Sequence, residues 1–401
     1  MTLAGERTTA PQTQVTAEPE HPVYRCVLKR ILAMVFIAAL FVPVVGAWRK
    51  WDPSGESNEN RRLAERPPVP RNFTEAKLYS DRWLNFYRDH FGFRNTLIRG
   101  VALTRFRGLG ADTDGRVLVG RDGWLFLRPD GDVNFIAFRG LNPFSEDDLD
   151  GWQHFLEQRA KWLAARGIPM LVVIAPNKET IYREYLPDEV SPIRPPSRLD
   201  QLVERLGRAH SPVHLLDLRP ALMAAKKSGR LYFKTDTHWN DEGAYVAYRA
   251  MMDAVKYLLP DWKIVPQPRG NFVPGKAPVV EGDLARMMDM PDQYPDEWLI
   301  LRRKVPFEVP PGAMDPKGIC VTDLNDPTLP RLVFYHDSFA IALAPMLGPN
   351  FNRVFWSFNY EMDPKAIERE KPDVVIDEFL ERNLYLDPPT DPPEIRRWKE
   401  R

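Results

Sequence analysis

The stretch Ser145-EDDLDGWQHFLEQRAKWLAARGIPMLVVIA-Pro176 holds a helix and a strand in direct succession. Ser145 and Asp148 have the spacing of a capping box, and Trp152, Phe155, Leu156, Ala160 and Leu163 then recur on one helical face. Gly167 ends that helix, and Met170 to Ala175 follows without a polar residue, as in a strand buried on both faces. The alternation continues downstream. Apolar runs at His214–Leu218, Leu332–Tyr335, Val354–Trp356 and Val374–Ile376 are separated by helical patterns over 198–208, 241–258 and 363–370. Strands alternating with helices predict an α/β fold whose parallel sheet is flanked by helices.

Upstream, VLVGRDGWLFL reads as a hairpin with Asp122-Gly123 at its turn. Thr74 to Arg107 carries apolar and aromatic residues at helical spacing, including Leu78, Trp83, Phe86 and Phe91. Residues 51–72 are charged and Pro-rich, as in a stalk, and residues 1–24 have the polar composition of a disordered cytoplasmic tail. Between them, Ile31 to Trp48 contains no charge over eighteen residues, the lower edge of a bilayer span. Arg25, Lys29 and Arg30 precede it, and Arg49 and Lys50 follow, a balance that favours a cytoplasmic amino terminus. A transmembrane signal-anchor over 25–50 and a cleaved signal peptide ending near Val45 and Ala47 both place residues beyond 51 outside the cytoplasm. The remainder divides into one large domain over 73–390 and a polar, extended tail over 391–401.

Composition narrows the function. Lys plus Arg and Asp plus Glu each total 55, so no global field recruits nucleic acid. Cys26 and Cys320 are the two cysteines; Cys26 adjoins the apolar run, and no disulfide framework or Cys-based zinc site can be built from them.

Two segments carry chemistry. In Tyr232-Phe-Lys-Thr-Asp236-Thr-His238-Trp-Asn240, Asn240 has the chemistry of an N-cap, which places Asp236 and His238 in extended chain just before a helix. Residues i and i+2 there project to one side, so the carboxylate can accept from Nδ1–H and leave Nε2 free as a base. In Leu332-Val-Phe-Tyr-His-Asp-Ser338-Phe-Ala-Ile-Ala-Leu343, Ser338 sits where a strand turns into a short helix, at the sheet edge where open α/β folds bind ligands. A serine there needs a base, and His238 is the candidate. The plainer alternatives are that Asp337 or Ser338 only caps a helix and that Asp236 and His238 form a structural pair. A metal reading of His336, Asp337 and His238 lacks helical context and further ligands.

Together these segments resemble the alginate O-acetyltransferase family of the AlgJ/AlgX type, whose catalytic domain is SGNH-hydrolase-like. The resemblance runs through Glu59-Asn60-Arg61, Asp89-His90-Phe91-Gly92-Phe93-Arg94, Gly120-Arg121-Asp122-Gly123-Trp124-Leu125-Phe126 and Ala175-Pro176-Asn177-Lys178 with Tyr182. It continues through Thr235-Asp236-Thr237-His238-Trp239, Gly282-Asp283-Leu284, Asp337-Ser338-Phe339 and Lys371-Pro372-Asp373-Val374-Val375-Ile376. It implies an SGNH-like fold with Ser338 as nucleophile, His238 as base and Asp236 as the residue that orients the imidazole. It departs from relatives that carry glycine where this chain has His336, a change that would strain a backbone needing positive φ. Ser338 N–H is the expected oxyanion donor, with Tyr360, Asn359 and His336 as further candidates around the substrate. The resemblance further implies an acetyl-serine intermediate, no cofactor, a polysaccharide acceptor, and a multi-pass membrane-bound O-acyltransferase as acetyl supplier. It implies a single-pass protein of the bacterial inner membrane with its catalytic domain in the periplasm. The absence of a carbohydrate-binding segment after residue 390 makes it more AlgJ-like than AlgX-like. An acetylesterase with the same residues and a non-catalytic scaffold are the competing expectations.

Overall fold

In a computed structural model, the residues described are 22–49, 63–97, 100, 101, 104, 116–128, 136, 138–190, 196–277, 281–288, 290–307 and 318–397. The chain divides into two compact units, Met1–Gly100 and Val101–Arg401. The tail expected over 1–24 and the stalk expected over 51–72 lie mainly outside the described residues, although 22–24 are already helical and 63–71 have no regular structure.

In the first unit, α1 (Pro22–Arg49) contains the uncharged run and is long and apolar enough to cross a bilayer. Helix α2 (Phe73–Asp89) starts on Asn72, whose side chain accepts from Glu75 N–H. The helical pattern predicted to reach Arg107 breaks at Gly92 and Phe93. Phe93 adopts φ 61, and a Cβ on Gly92 would lie 2.0 Å from the Pro43 carbonyl of α1. Close approach to α1, which only glycine permits, interrupts the helix there.

The second unit begins with the expected hairpin, β1 (Val117–Val119) and β2 (Leu125–Leu127), joined through Asp122 at φ 54 and Gly123 at φ 77. Helix α3 (Glu146–Ala164) opens on the Ser145/Asp148 capping box. After β3 (Met170–Ala175) come α4 (Arg198–Arg208), β4 (His214–Asp217), α5 (Arg219–Ala225) and α6 (Asp241–Leu258). An antiparallel pair, β5 (Phe272–Ala277) and β6 (Trp298–Arg303), precedes β7 (Ile319–Asp323), β8 (Arg331–Tyr335), β9 (Arg353–Ser357), α7 (Pro364–Glu370) and β10 (Val374–Leu380).

Six strands form one sheet in the order β4-β3-β10-β8-β9-β7. Five are parallel, but β7 runs antiparallel to β9, so the sheet is mixed rather than parallel as predicted. As an edge strand β7 is only half-buried and ends in Asp323, so it lacks the apolar run that marks the inner strands. The inner strands alternate between two cores. Leu171, Val173, Leu332, Phe334, Val354 and Trp356 face a cluster that includes Met251 and Val255 of α6. Met170, Val172, Val333, Tyr335 and Phe355 face the other, with Trp152 and Leu156 of α3 and Leu202 of α4. Period-2 side chains covered on both faces are what makes these strands legible as apolar runs.

Of the polar tail expected over 391–401, the described residues 391–397 pack onto the fold, and 398–401 lie outside the described residues. Ile395 is fully buried, and Asp391 is drawn inside by Arg159. Arg159 of α3, itself fully buried, donates to Asp391 at 2.7 and 2.5 Å, to Asp377 at 2.6 Å and to the Tyr360 carbonyl at 2.6 Å. A guanidinium without water needs such partners, and the chain folds back to supply one.

Candidate active site

The segment Leu231–Asn240 is a closed loop, not the extended chain expected from its sequence. An antiparallel bridge pairs Tyr232 with Trp239, and residues 234–238 bend between them. Asn240 caps α6 by accepting from Gly243 N–H at 3.0 Å, as expected. Within the bend the Asp236 carboxylate accepts from both the His238 backbone N–H at 3.0 Å and Nδ1 at 2.7 Å. An Asx-type turn thus achieves the i to i+2 pairing.

Ser338 opens a short 3-10 turn at the carboxyl end of β8, and its Oγ lies 2.8 Å from His238 Nε2. Asp236, His238 and Ser338 therefore form one hydrogen-bonded relay, and the His238 side chain keeps 29% of its surface open. Phe339 packs beside the imidazole with ring centroids 4.9 Å apart, and its carbonyl accepts from Trp239 Nε1 at 3.0 Å.

Two residues given no individual role by sequence reading hold the loop. Asp283 N–H donates to the second oxygen of Asp236 at 3.0 Å, while its own carboxylate accepts from Thr237 N–H at 2.8 Å and Thr237 Oγ1 at 2.6 Å. Gly282 makes this contact feasible, since a Cβ there would stand 2.2 Å from the Thr235 carbonyl. Lys178 is buried beside Trp124 and Phe126, and its Nζ donates to the carbonyls of Phe233, Lys234 and Asp236 at 3.2, 3.1 and 2.7 Å. Burial lowers its pKa to about 8 against the pull of nearby carboxylates. The sequence cue was a lysine at the end of an apolar strand, in Ala175-Pro176-Asn177-Lys178.

The further candidates stand apart from the relay. His336 has an ordinary φ, since positive φ among non-glycine described residues falls on Phe93, Asp122, His210, Asn325 and Lys371. Its ring is buried among Phe334, Trp356 and Phe358, with Nδ1 2.9 Å from the Asp337 carbonyl, and it makes no described hydrogen bond to Ser338 or His238. Tyr360 hydroxyl is committed to Asp337 at 2.6 Å and accepts from Asn383 at 2.6 Å, which places it behind the serine turn. Asn359 is exposed and accepts from Glu361 N–H in a local turn. Asp337 is the cap of the serine turn: Oδ1 accepts from Phe339 N–H at 2.8 Å and its own N–H donates to the fully buried Glu378 at 3.1 Å. Of the first amides in that turn, Phe339 and Ala340 donate to Asp337, whereas the Ser338 N–H makes no hydrogen bond among the described residues.

The electrostatics suit a base. Burial pushes the Asp236 carboxyl up, but hydrogen bonding and charge from His238 bring it down to about 2. Burial lowers the His238 imidazole, but Asp236, with Asp283 and Asp337, outweighs it and the net shift is upward. Asp236, His238 and Asp283 offer ligand atoms within 4.8 Å of one another. Their nitrogen and oxygens already face each other or Thr237 in hydrogen bonds, the chemistry of a relay rather than a cation cage. A base works in its neutral form, which dominates above its pKa. So kcat/KM toward p-nitrophenyl acetate is expected to rise with pH through a midpoint above the ordinary value of about 6.5, and Asp236→Asn should move that midpoint down. A flat profile across ~pH 5–8 would remove His238 from that role.

Comparison with known proteins bears out the resemblance read from the sequence. Residues 117–310 match the family described as SGNH hydrolase-like domain, acetyltransferase AlgX. The chain is 31% identical over 144 residues to the protein named "Probable alginate O-acetylase AlgJ" of Pseudomonas putida, covering 35% of this chain and 34% of that protein. It is 27% identical over 187 residues to the protein of the same name in Pseudomonas aeruginosa, covering 46% and 43%. The chain thus spans between a third and a half of the length of these relatives. The solved structure of Bacillus cereus PatB1 aligns with a TM-score of 0.50 at 15% identity, covering 68% of this chain and 97% of PatB1. The fold is SGNH-like α/β.

Proposed function

We propose that this chain, similar to the AlgJ/AlgX-type acetyltransferases, moves acetyl groups onto a polysaccharide outside the cytoplasm through a Ser–His–Asp relay. The observation that carries the reading is the continuous pair of hydrogen bonds, 2.8 Å from Ser338 Oγ to His238 Nε2 and 2.7 Å from Nδ1 to Asp236. Ser338 Oγ attacks the acetyl carbonyl as His238 takes its proton, and Asp236 stabilises the imidazolium. The oxyanion forms beside the Ser338 N–H, and its collapse expels the donor's leaving group, protonated by His238. A sugar hydroxyl, deprotonated by the same imidazole, then attacks acetyl-Ser338 and carries the acetyl group away. These steps call on no cofactor.

The names of the relatives make alginate the first acceptor to test. The apolar α1 fits a single-pass anchor in the bacterial inner membrane with the catalytic unit in the periplasm. A catalytic unit tethered by such an anchor suits a multi-pass membrane-bound O-acyltransferase as its acetyl supplier.

The test is to trap the intermediate. After brief exposure to p-nitrophenyl acetate and an acid quench, peptide mass mapping is expected to find one acetyl group on Ser338. Addition of de-acetylated oligosaccharide should then move that group to the sugar. Turnover with no acetyl on Ser338 would sink the mechanism. Acetyl-Ser338 that yields only free acetate in the presence of sugar would make the protein an esterase instead.

A further inference from the structure

Helix α2 is seventeen residues long, and none of its side chains is fully buried. Among the described residues its cover is thin: Tyr79 and Phe86 are half-buried, and Ala64 N–H donates to Asp89 at 2.7 Å. A helix of that length with so little packed on it is marginal in water. Its aromatic residues nevertheless form one stripe. Tyr79, Trp83, Phe86 and His90 follow at i, i+4, i+7 and i+11, with successive ring centroids 6.5, 5.2 and 4.3 Å apart. Lys77, Asp81 and Arg88 occupy the opposite face. Arg66 lies over the Trp83 ring at 5.8 Å, yet Trp83 stays 42% exposed.

The turn after α2 fixes where this stripe sits. Gly92 lies against the α1 backbone at Pro43 and Ala47, and the Phe93 ring lies against Gly46. All three α1 positions belong to the uncharged run that ends at Trp48. With a rise of ~1.5 Å per residue, Pro43 is roughly 7 Å from the end of that run, so the carboxyl end of α2 is held at the depth where hydrocarbon gives way to headgroups.

We propose that α2 lies in the membrane interface, with Tyr79, Trp83 and Phe86 set among lipid headgroups and upper acyl chains. The inference rests on reading α1 as a bilayer span and adds a second membrane contact to it. Trp and Tyr are side chains that headgroup regions accommodate, and a polar opposite face keeps such a helix flat on the surface. Arg66 beside Trp83 supplies a cation at phosphate level. The choice of lipid over a protein partner follows from the contact with α1, which brings the helix to the bilayer whatever else is present.

The test uses the full chain carrying Cys26→Ser and Cys320→Ser in phosphatidylethanolamine/phosphatidylglycerol bilayers. Spin labels are placed singly through Phe36→Cys, Ala76→Cys, Asp81→Cys and Trp83→Cys, and accessibility to oxygen and to a neutral nickel chelate is compared. Ala76 flanks the aromatic stripe and replaces small by small, so it guards against loss of the helix in the Trp83 variant. The oxygen-to-nickel ratio at 76 and 83 is expected to exceed that at 81 several-fold. Nickel access at 76 and 83 equal to that at 81 would overturn the proposal, since the stripe would face water. Protection from both reagents would also overturn it and assign the stripe to a protein, a second copy or a partner. Position 36 separates the two readings. If it favours oxygen while 76 and 83 do not, only the interfacial helix fails; if it is open to nickel, the anchor fails first.

Discussion

Replacing Ser338 by alanine is expected to lower kcat/KM for acetyl-ester cleavage by about 10⁴-fold or more, while leaving the unfolding midpoint almost unchanged. The expectation follows from geometry. Among the described residues Ser338 Oγ is the one hydroxyl bonded to His238 Nε2, at 2.8 Å; the Thr237 hydroxyl lies 3.2 Å from Nδ1, on the other side of the ring, and donates to Asp283. Ser338 is only partly buried, and among the described residues its hydroxyl bonds His238 alone, so its removal costs stability little. His238→Ala should cost a similar factor, and the double variant should be hardly worse than either, because the two side chains act in one proton transfer. Steady-state rates on p-nitrophenyl acetate with the parent, both single variants and the double variant check this. Multiplying losses would mean that Ser338 and His238 act independently and would dismantle the relay. A Ser338→Ala variant that retains parental turnover would return the serine turn to a plain helix cap.

What the sequence disclosed divides along physical lines. The strands of the sheet interior were legible because both their faces are buried, which forces unbroken apolar runs such as Met170–Ala175. The edge strand Ile319–Asp323 and the β5/β6 pair were missed because exposure on one side admits Thr, Lys, Pro and Gly into them. The strand Val374–Leu380 was read only to Ile376. Its Asp377 and Glu378 look like the start of a loop in sequence, yet both are buried, one on Arg159 and one behind the serine turn. Asp236, His238 and Ser338 could be picked out because chain-local cues marked them, a helix cap after the first two and a strand end before the third. Asp283 and Lys178 act on the loop across 46 and 58 positions of sequence, and nothing local announces that. None of the three further candidates, His336, Asn359 and Tyr360, makes a described hydrogen bond to Ser338 or His238. Tyr360 came close, since it touches Asp337, but its hydroxyl faces the support of the turn and not the reacting group.

That support leads to the largest stability effect expected in the molecule. Asp391→Ala is expected to destabilise the second unit by about 3–5 kcal/mol, since it strands part of a buried guanidinium. Arg159 makes four hydrogen bonds, and two of them go to Asp391, at 2.7 and 2.5 Å. The side chains of Arg159 and Asp377 are fully buried, so water cannot replace the lost partner without opening the core. Urea unfolding, followed by Trp fluorescence, should show a lower midpoint with an unchanged slope. A loss under about 1 kcal/mol would mean that water reaches the cluster and that residue 391 is a surface group after all. Replacing the whole cluster by Arg159→Met, Asp377→Leu and Asp391→Leu should cost less than Asp391→Ala alone, because no charge is then left unpaired. The same substitutions should also touch activity. Arg159 holds the Tyr360 carbonyl at 2.6 Å, and Tyr360 in turn holds Asp337, the cap of the serine turn, at 2.6 Å. If the triple variant is stable yet slow, the buried cluster is kept for the aim of Ser338; if it is stable and fast, the cluster serves only to close the carboxyl end onto the fold.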